Sequence, residues 1–74
     1  MKATLKIKGS FVKIYIDDLL HLSFKQQDFA GIQSWKEGAN WYDIEYYLGD
    51  TKILCAYDDF DKWKAILKLI DAHL

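Results

Sequence analysis

The sequence predicts a small α+β domain, a twisted antiparallel sheet of about six strands closed by one C-terminal helix. Two observations carry that prediction. Apolar and polar residues alternate in short runs, separated by turn residues, from Lys2 to Tyr57. The apolar period then changes from two to 3.6 over DDFDKWKAILKLIDAHL, residues 58–74. Strands first, a helix last and no βαβ alternation is the pattern of an antiparallel sheet with its helix on one side. At 74 residues the chain is read as a single domain, 1–74, with strands within 2–57 and the helix over about 59–73. The strands form a meander of hairpins, strongly twisted or half-rolled.

The first hairpin lies in KATLKIKGSFVKIYI, where Ala3, Leu5 and Ile7 alternate with Lys2, Thr4, Lys6 and Lys8. Gly9-Ser10 supplies a two-residue turn, with glycine first as a type II′ turn requires. Closed there, the hairpin sets Ile7 opposite Val12, Leu5 opposite Ile14 and Ala3 opposite Ile16, all apolar pairs on one face. The other face sets Lys8 opposite Phe11, Lys6 opposite Lys13 and Thr4 opposite Tyr15. After Asp17-Asp18 the chain reads LLHLSFK. A three-residue loop over Asp17 to Leu19 sets Ile16 opposite Leu20, Ile14 opposite Leu22 and Val12 opposite Phe24, leaving His21, Ser23 and Lys25 outward. KQQDFAG breaks the alternation and is expected to form a loop or short turn, with Phe29 tucked beneath the sheet.

Residues 31–36, GIQSWK, predict a short strand, and EGAN at 37–40 a turn. In WYDIEYYLGDTKILCAY, residues 41–57, the turn at Gly49-Asp50 sets Tyr46 opposite Ile53, Ile44 opposite Cys55 and Tyr42 opposite Tyr57 on the inward face. Tyr47 with Lys52, Glu45 with Leu54 and Asp43 with Ala56 face outward. Large aromatics thus fall on both faces, although one apolar face is enough to pack a core. A three-residue loop before Trp41 adds Trp35 to the outer group; a four-residue loop puts it beside Tyr42 on the inner one. In the helix, Phe60, Trp63, Ile66, Leu67, Ile70 and Leu74 line one stripe and Lys62, Lys64, Lys68 and Asp71 the other. Asp58 or Asp59 is the expected N-cap, and Asp61 stands in the first turn where the helix dipole favours a negative charge.

The composition is that of a globular chain, with net charge −1 and 16% aromatic residues. A chain this short buries only about 60–65% of the surface its unfolded form exposes, so the aromatics carry much of the burial. Cys55 is the only cysteine, which excludes an intrachain disulfide, and with two scattered histidines it makes no zinc set. No metal or other cofactor is expected. No run approaches the roughly 20 apolar residues of a membrane span. The start MKATLKIKGS lacks the apolar stretch of a leader, so the expected location is cytoplasmic.

No constellation for catalysis stands out, and the expectation is that the chain is not an enzyme. Cys55 occupies a position that suits a small apolar side chain. The carboxylates of Asp58, Asp59 and Asp61 are accounted for by a helix N-terminus, and Asp17 and Asp18 by turn chemistry. Two surfaces remain. Lys6, Lys8, Lys13 and Tyr15, on the outer face of the first hairpin, interleave cations and aromatics as single-stranded nucleic-acid binders do. Against that stand an acidic net charge, the lack of any arginine for bidentate phosphate contacts, and the tendency of edge strands to carry lysine as a guard against sheet-to-sheet pairing. Trp41, Tyr47 and Leu54, with Trp35 if it faces outward, form the second. Large apolar groups exposed together mark interaction sites, unless the sheet curls and residues 25–31 cover them.

The order of antiparallel strands followed by a C-terminal helix carrying Trp63 is similar to that of pleckstrin-homology-like domains. Those domains have seven strands, and their inositide-binding versions carry a basic signature ending in arginine in the first hairpin. Here the corresponding residues are Lys6, Lys8 and Lys13, then Tyr15. The expected function is binding or assembly. The first expectation is a protein–protein interaction or homodimer through Trp41, Tyr47, Leu54 and Trp35. The alternative is a single-stranded nucleic acid or anionic ligand on Lys6, Lys8, Lys13 and Tyr15.

Overall fold

The computed structural model describes residues 1–74. Six antiparallel strands precede one helix: β1 (Ala3–Lys8), β2 (Phe11–Ile16), β3 (Leu19–Lys25), β4 (Phe29–Gly38), β5 (Trp41–Leu48), β6 (Thr51–Tyr57) and α1 (Phe60–His73). They form two three-stranded sheets, β1–β2–β3 and β4–β5–β6, with no closed barrel. No helix is long and apolar enough to cross a membrane.

The first hairpin has the register that its apolar pairs demand, Ile7 opposite Val12 through Ala3 opposite Ile16. Gly9 sits at φ 60 while Ser10 stays at negative φ, the combination a type II′ turn uses. Gly49 repeats it at the β5–β6 turn, again at φ 60, and the inward set Tyr46–Ile53, Ile44–Cys55 and Tyr42–Tyr57 follows.

The β2–β3 connection differs from the three-residue loop expected. Asp17 and Asp18 alone make the turn, both left-handed at φ 51 and 66 as a type I′ turn needs. Ile16 therefore pairs with Leu19, not Leu20. A bulge at His21 then restores Ile14 opposite Leu22 and Val12 opposite Phe24. The extra residue has two consequences. Leu20 moves out of the apolar row to 56% exposure, and His21, expected to point outward, reaches the Tyr57 hydroxyl. Re-aiming one side chain is a common effect of a bulge.

Of the loop or short turn expected over 25–31, the structure has the short turn, a single 3₁₀ turn at Gln26–Asp28, and β4 is ten residues long, longer than the strand expected over 31–36. Phe29 is half-buried against the core and stacks on Phe24, ring centroids 5.8 Å apart. A two-residue turn, Ala39-Asn40, and a bulge at Glu37 set Trp35 opposite Asp43. That puts Trp35 on the outer side, in the register of the shorter loop.

One core joins the sheets and the helix: Val12, Ile14 and Phe24 from the first sheet, Ile44, Tyr46, Leu48 and Tyr57 from the second, Ile66 and Ile70 from α1. The helix lies against β1, β5 and β6. Asp59 caps it, its carboxylate accepting the backbone N–H of Asp61 at 2.8 Å and of Lys62 at 3.3 Å. The Trp63 indole N–H donates to the Asp43 carbonyl at 3.0 Å, tying the first helical turn to the central strand of the second sheet. Tyr42, Phe60 and Trp63 pack together beside it, the Tyr42 and Trp63 rings 5.1 Å apart.

Candidate functional site

Because both sheets turn one face to a common core, their alternate residues point away from it. The outer face of the second sheet carries Trp41, Asp43, Glu45 and Tyr47 on β5, Gln33 and Trp35 on β4, and Lys52, Leu54 and Ala56 on β6. All four residues expected at an aromatic interface lie on this face. Trp41 is 54% exposed and Leu54 56% exposed, and neither is covered by residues 25–31. Trp35 and Tyr47 are half-buried, and each is held by a carboxylate. The Trp35 indole N–H donates to Glu37. The Tyr47 hydroxyl donates to Glu45 at 2.6 Å, while the Lys52 ammonium stands 5.6 Å from the Tyr47 ring centroid.

The apolar groups are not contiguous. Asp43 and Glu45 run down the middle of the face, between Trp35 on one side and Leu54 on the other. Asp43 is only 7% exposed. Burial first, and then the Glu37 carboxylate beside it, raises its pKa above the usual carboxylate value. The hydrogen bond to Glu45 is the main reason the Tyr47 hydroxyl titrates above the ordinary tyrosine value. The sequence reading placed Asp43 and Glu45 on this outer face but built the candidate site from the large apolar residues alone, and it put Glu37 in a turn. The signal was present in the alternation of WYDIEYY, where Trp41, Asp43, Glu45 and Tyr47 share parity.

The outer face of the first sheet is different in charge. Lys6 faces Lys13, Lys8 faces Phe11, and Lys25 lies on the far side of Phe11. Tyr15 lies between Thr4 and Leu20, with the Lys6 ammonium 5.5 Å from its ring centroid. The strand residues of this face include four lysines and no carboxylate. The structure therefore brings Lys6, Lys8, Lys13 and Tyr15 together with Phe11 and Lys25, both expected to face outward, and adds Leu20.

A third group sits between the sheets. The His21 Nε2 and the Tyr57 hydroxyl share a hydrogen bond of 2.7 Å, and the Tyr46 hydroxyl lies 3.5 Å from that of Tyr57. Burial pushes the Tyr46 hydroxyl up to about 12 and raises Tyr57 as well. Burial, and then the charge of Lys62, lowers the pKa of His21. Half-buried Cys55, with its thiol pushed up by burial, adjoins the group. All of these shifts favour neutral forms, so the cluster is a neutral hydrogen-bond chain without an activated nucleophile. An open groove of about 620 Å³ runs between α1 and β4, with Phe29, Ile32 and Leu67 in its wall and Lys64 and Lys68 along it.

No family model, curated protein or solved structure matches the chain.

Proposed function

We propose that the chain is a non-catalytic binding or assembly domain, associating with a protein through the outer face of β4–β5–β6. The observation that carries this reading is the state of the face itself. Trp41 and Leu54 are more than half exposed, on a face whose other two aromatics are already fixed by Glu37 and Glu45. Aromatic groups held in place before contact lose little side-chain freedom on binding, which is what makes them effective anchors. The raised thiol pKa of Cys55 also supports a non-catalytic role. We take the compartment to be the cytoplasm, where a lone thiol stays reduced.

The test separates interface from core. Replacing Trp41 or Leu54 by alanine is expected to change folding stability by less than about 1 kcal/mol, as for a surface residue. The same substitutions are expected to weaken association about tenfold or more, the effect of losing an interface anchor. A stability loss of about 3–5 kcal/mol, typical of a truncated core aromatic, would contradict the reading.

A second reading rests on the first sheet. Four lysines without a carboxylate, beside Phe11 and Tyr15, suit a single-stranded nucleic acid or another polyanion. Affinity for a labelled oligonucleotide would then fall steeply with salt. Salt-independent binding, or none, would remove this reading.

A further inference from the structure

The two outer faces are complementary to each other. One carries Lys6, Lys8, Lys13 and Lys25 with no carboxylate among its strand residues. The other has Asp43 and Glu45 along its central strand, with Glu37 at its edge and Lys52 as the only lysine among its strand residues. Each also presents exposed apolar groups: Phe11 and Leu20 on the basic face, Trp41 and Leu54 on the acidic one. We infer that the partner is a second copy of the chain, bound head to tail, with the lysine face of β1–β2–β3 of one molecule seated on the acidic aromatic face of β4–β5–β6 of the next. This rests on the reading of the second sheet as an interface and names what occupies it.

The two faces supply the chemistry of each contact. Lysine ammonium groups meet carboxylates, and they meet indole and phenol faces, which attract cations electrostatically. Pairing like with like is disfavoured. Two lysine faces would oppose four positive charges on each side, and two acidic faces would oppose their carboxylates. A head-to-tail contact uses different surfaces on the two partners, so the pair keeps one free face of each kind. It therefore propagates into chains or closes into rings, unlike a two-fold dimer.

Size fixes the strength. Three strands spaced about 4.8 Å, with about 3.3 Å per residue, make a face roughly 14 Å wide and 26 Å long for the eight residues of β5. That is well below the roughly 800 Å² per partner of a standard stable interface. The association is therefore weak, reversible and dependent on concentration. Since Lys6, Lys8 and Lys25 on one face and Glu37 on the other are exposed, it is also sensitive to salt.

Two variants test the arrangement. Lys6→Glu with Lys8→Glu changes exposed residues of the basic face, and Trp41→Lys with Leu54→Lys changes exposed residues of the acidic one. Each variant alone is expected to remain a single chain in light scattering at concentrations where the wild type associates. Mixed, the two are expected to form a one-to-one pair and nothing larger, because one intact basic face and one intact acidic face remain. Far-UV circular dichroism checks the fold, and Glu45→Lys replaces the second variant if that one is disturbed. If the lysine variant associates as the wild type does while the tryptophan variant does not, pairing is symmetric through β4–β5–β6. The head-to-tail inference then fails and the proposed interface stands. If both variants associate undiminished, the interface reading itself fails. A wild type that stays a single chain at every concentration overturns the inference, as does a lysine face that binds an oligonucleotide while no chain–chain association is seen.

Discussion

His21 shows how one residue can change its role through a single backbone irregularity. As a regular strand residue it would face solvent with Ser23 and Lys25. As the extra residue of a bulge it meets the Tyr57 hydroxyl at the edge of the core. Burial and the charge of Lys62 hold its imidazole below the ordinary value of 6.5. The unfolded chain therefore takes up this proton first as pH falls, so stability is complete above about 6.5 and is lost as pH drops below it. His21→Gln should flatten that part of the pH profile of the urea midpoint; an unchanged acid slope would contradict the account. Asp43 has the opposite sign. Burial and Glu37 raise its carboxyl above the ordinary 3.8, so the unfolded chain loses its proton first and stability falls as pH rises through the range above 3.8. Asp43→Asn should remove that decline without moving the His21 region. If the decline survives the substitution, Asp43 is not its source.

At the level of elements, the strands were readable from parity and the helix from its 3.6 period, whereas the turns between them were not. A three-residue loop at Asp17–Leu19 and a two-residue turn with a bulge at His21 lead to the same pairing of Ile14 with Leu22 and Val12 with Phe24. The apolar pattern downstream cannot separate them. What separates them is the hydrogen bond between His21 and Tyr57, 36 residues away. The Glu37 bulge imitates a longer loop before Trp41 in the same way. These local geometries have measurable costs. Asp18 is held at φ 66, where a side chain costs roughly 1–2 kcal/mol and glycine does not. Asp18→Gly is expected to stabilise the fold by up to about 1 kcal/mol in denaturant titration, and a loss of stability would show that its side chain contributes to the turn. Asp59→Ala removes the acceptor for two helical N–H groups and should cost about 1 kcal/mol. A neutral result would show that water serves the cap equally well.

Over the whole molecule, the decisive feature is that the strands divide into two sheets around one core. That division leaves two outer faces, one basic and one acidic, each with apolar side chains in the open. Alternation in the sequence located both faces, including Trp41, Tyr47 and Leu54 on one and Lys6, Lys8 and Lys13 on the other. It did not weigh the two faces against each other in charge, although Lys25, Asp43 and Glu45 were already placed outward; Glu37 was missed because β4 runs to Gly38 and not to residue 36. The division into two sheets is equally hard to read, since hairpins of the same register can build one sheet or two. The most direct test of the interface is the solution molar mass, measured by light scattering across a range of concentrations at low and high salt. The account predicts a mass that rises above the single-chain 8.7 kDa with concentration and falls back toward it as salt screens the charged faces. A mass of 8.7 kDa at every concentration, in low salt as in high, would contradict it.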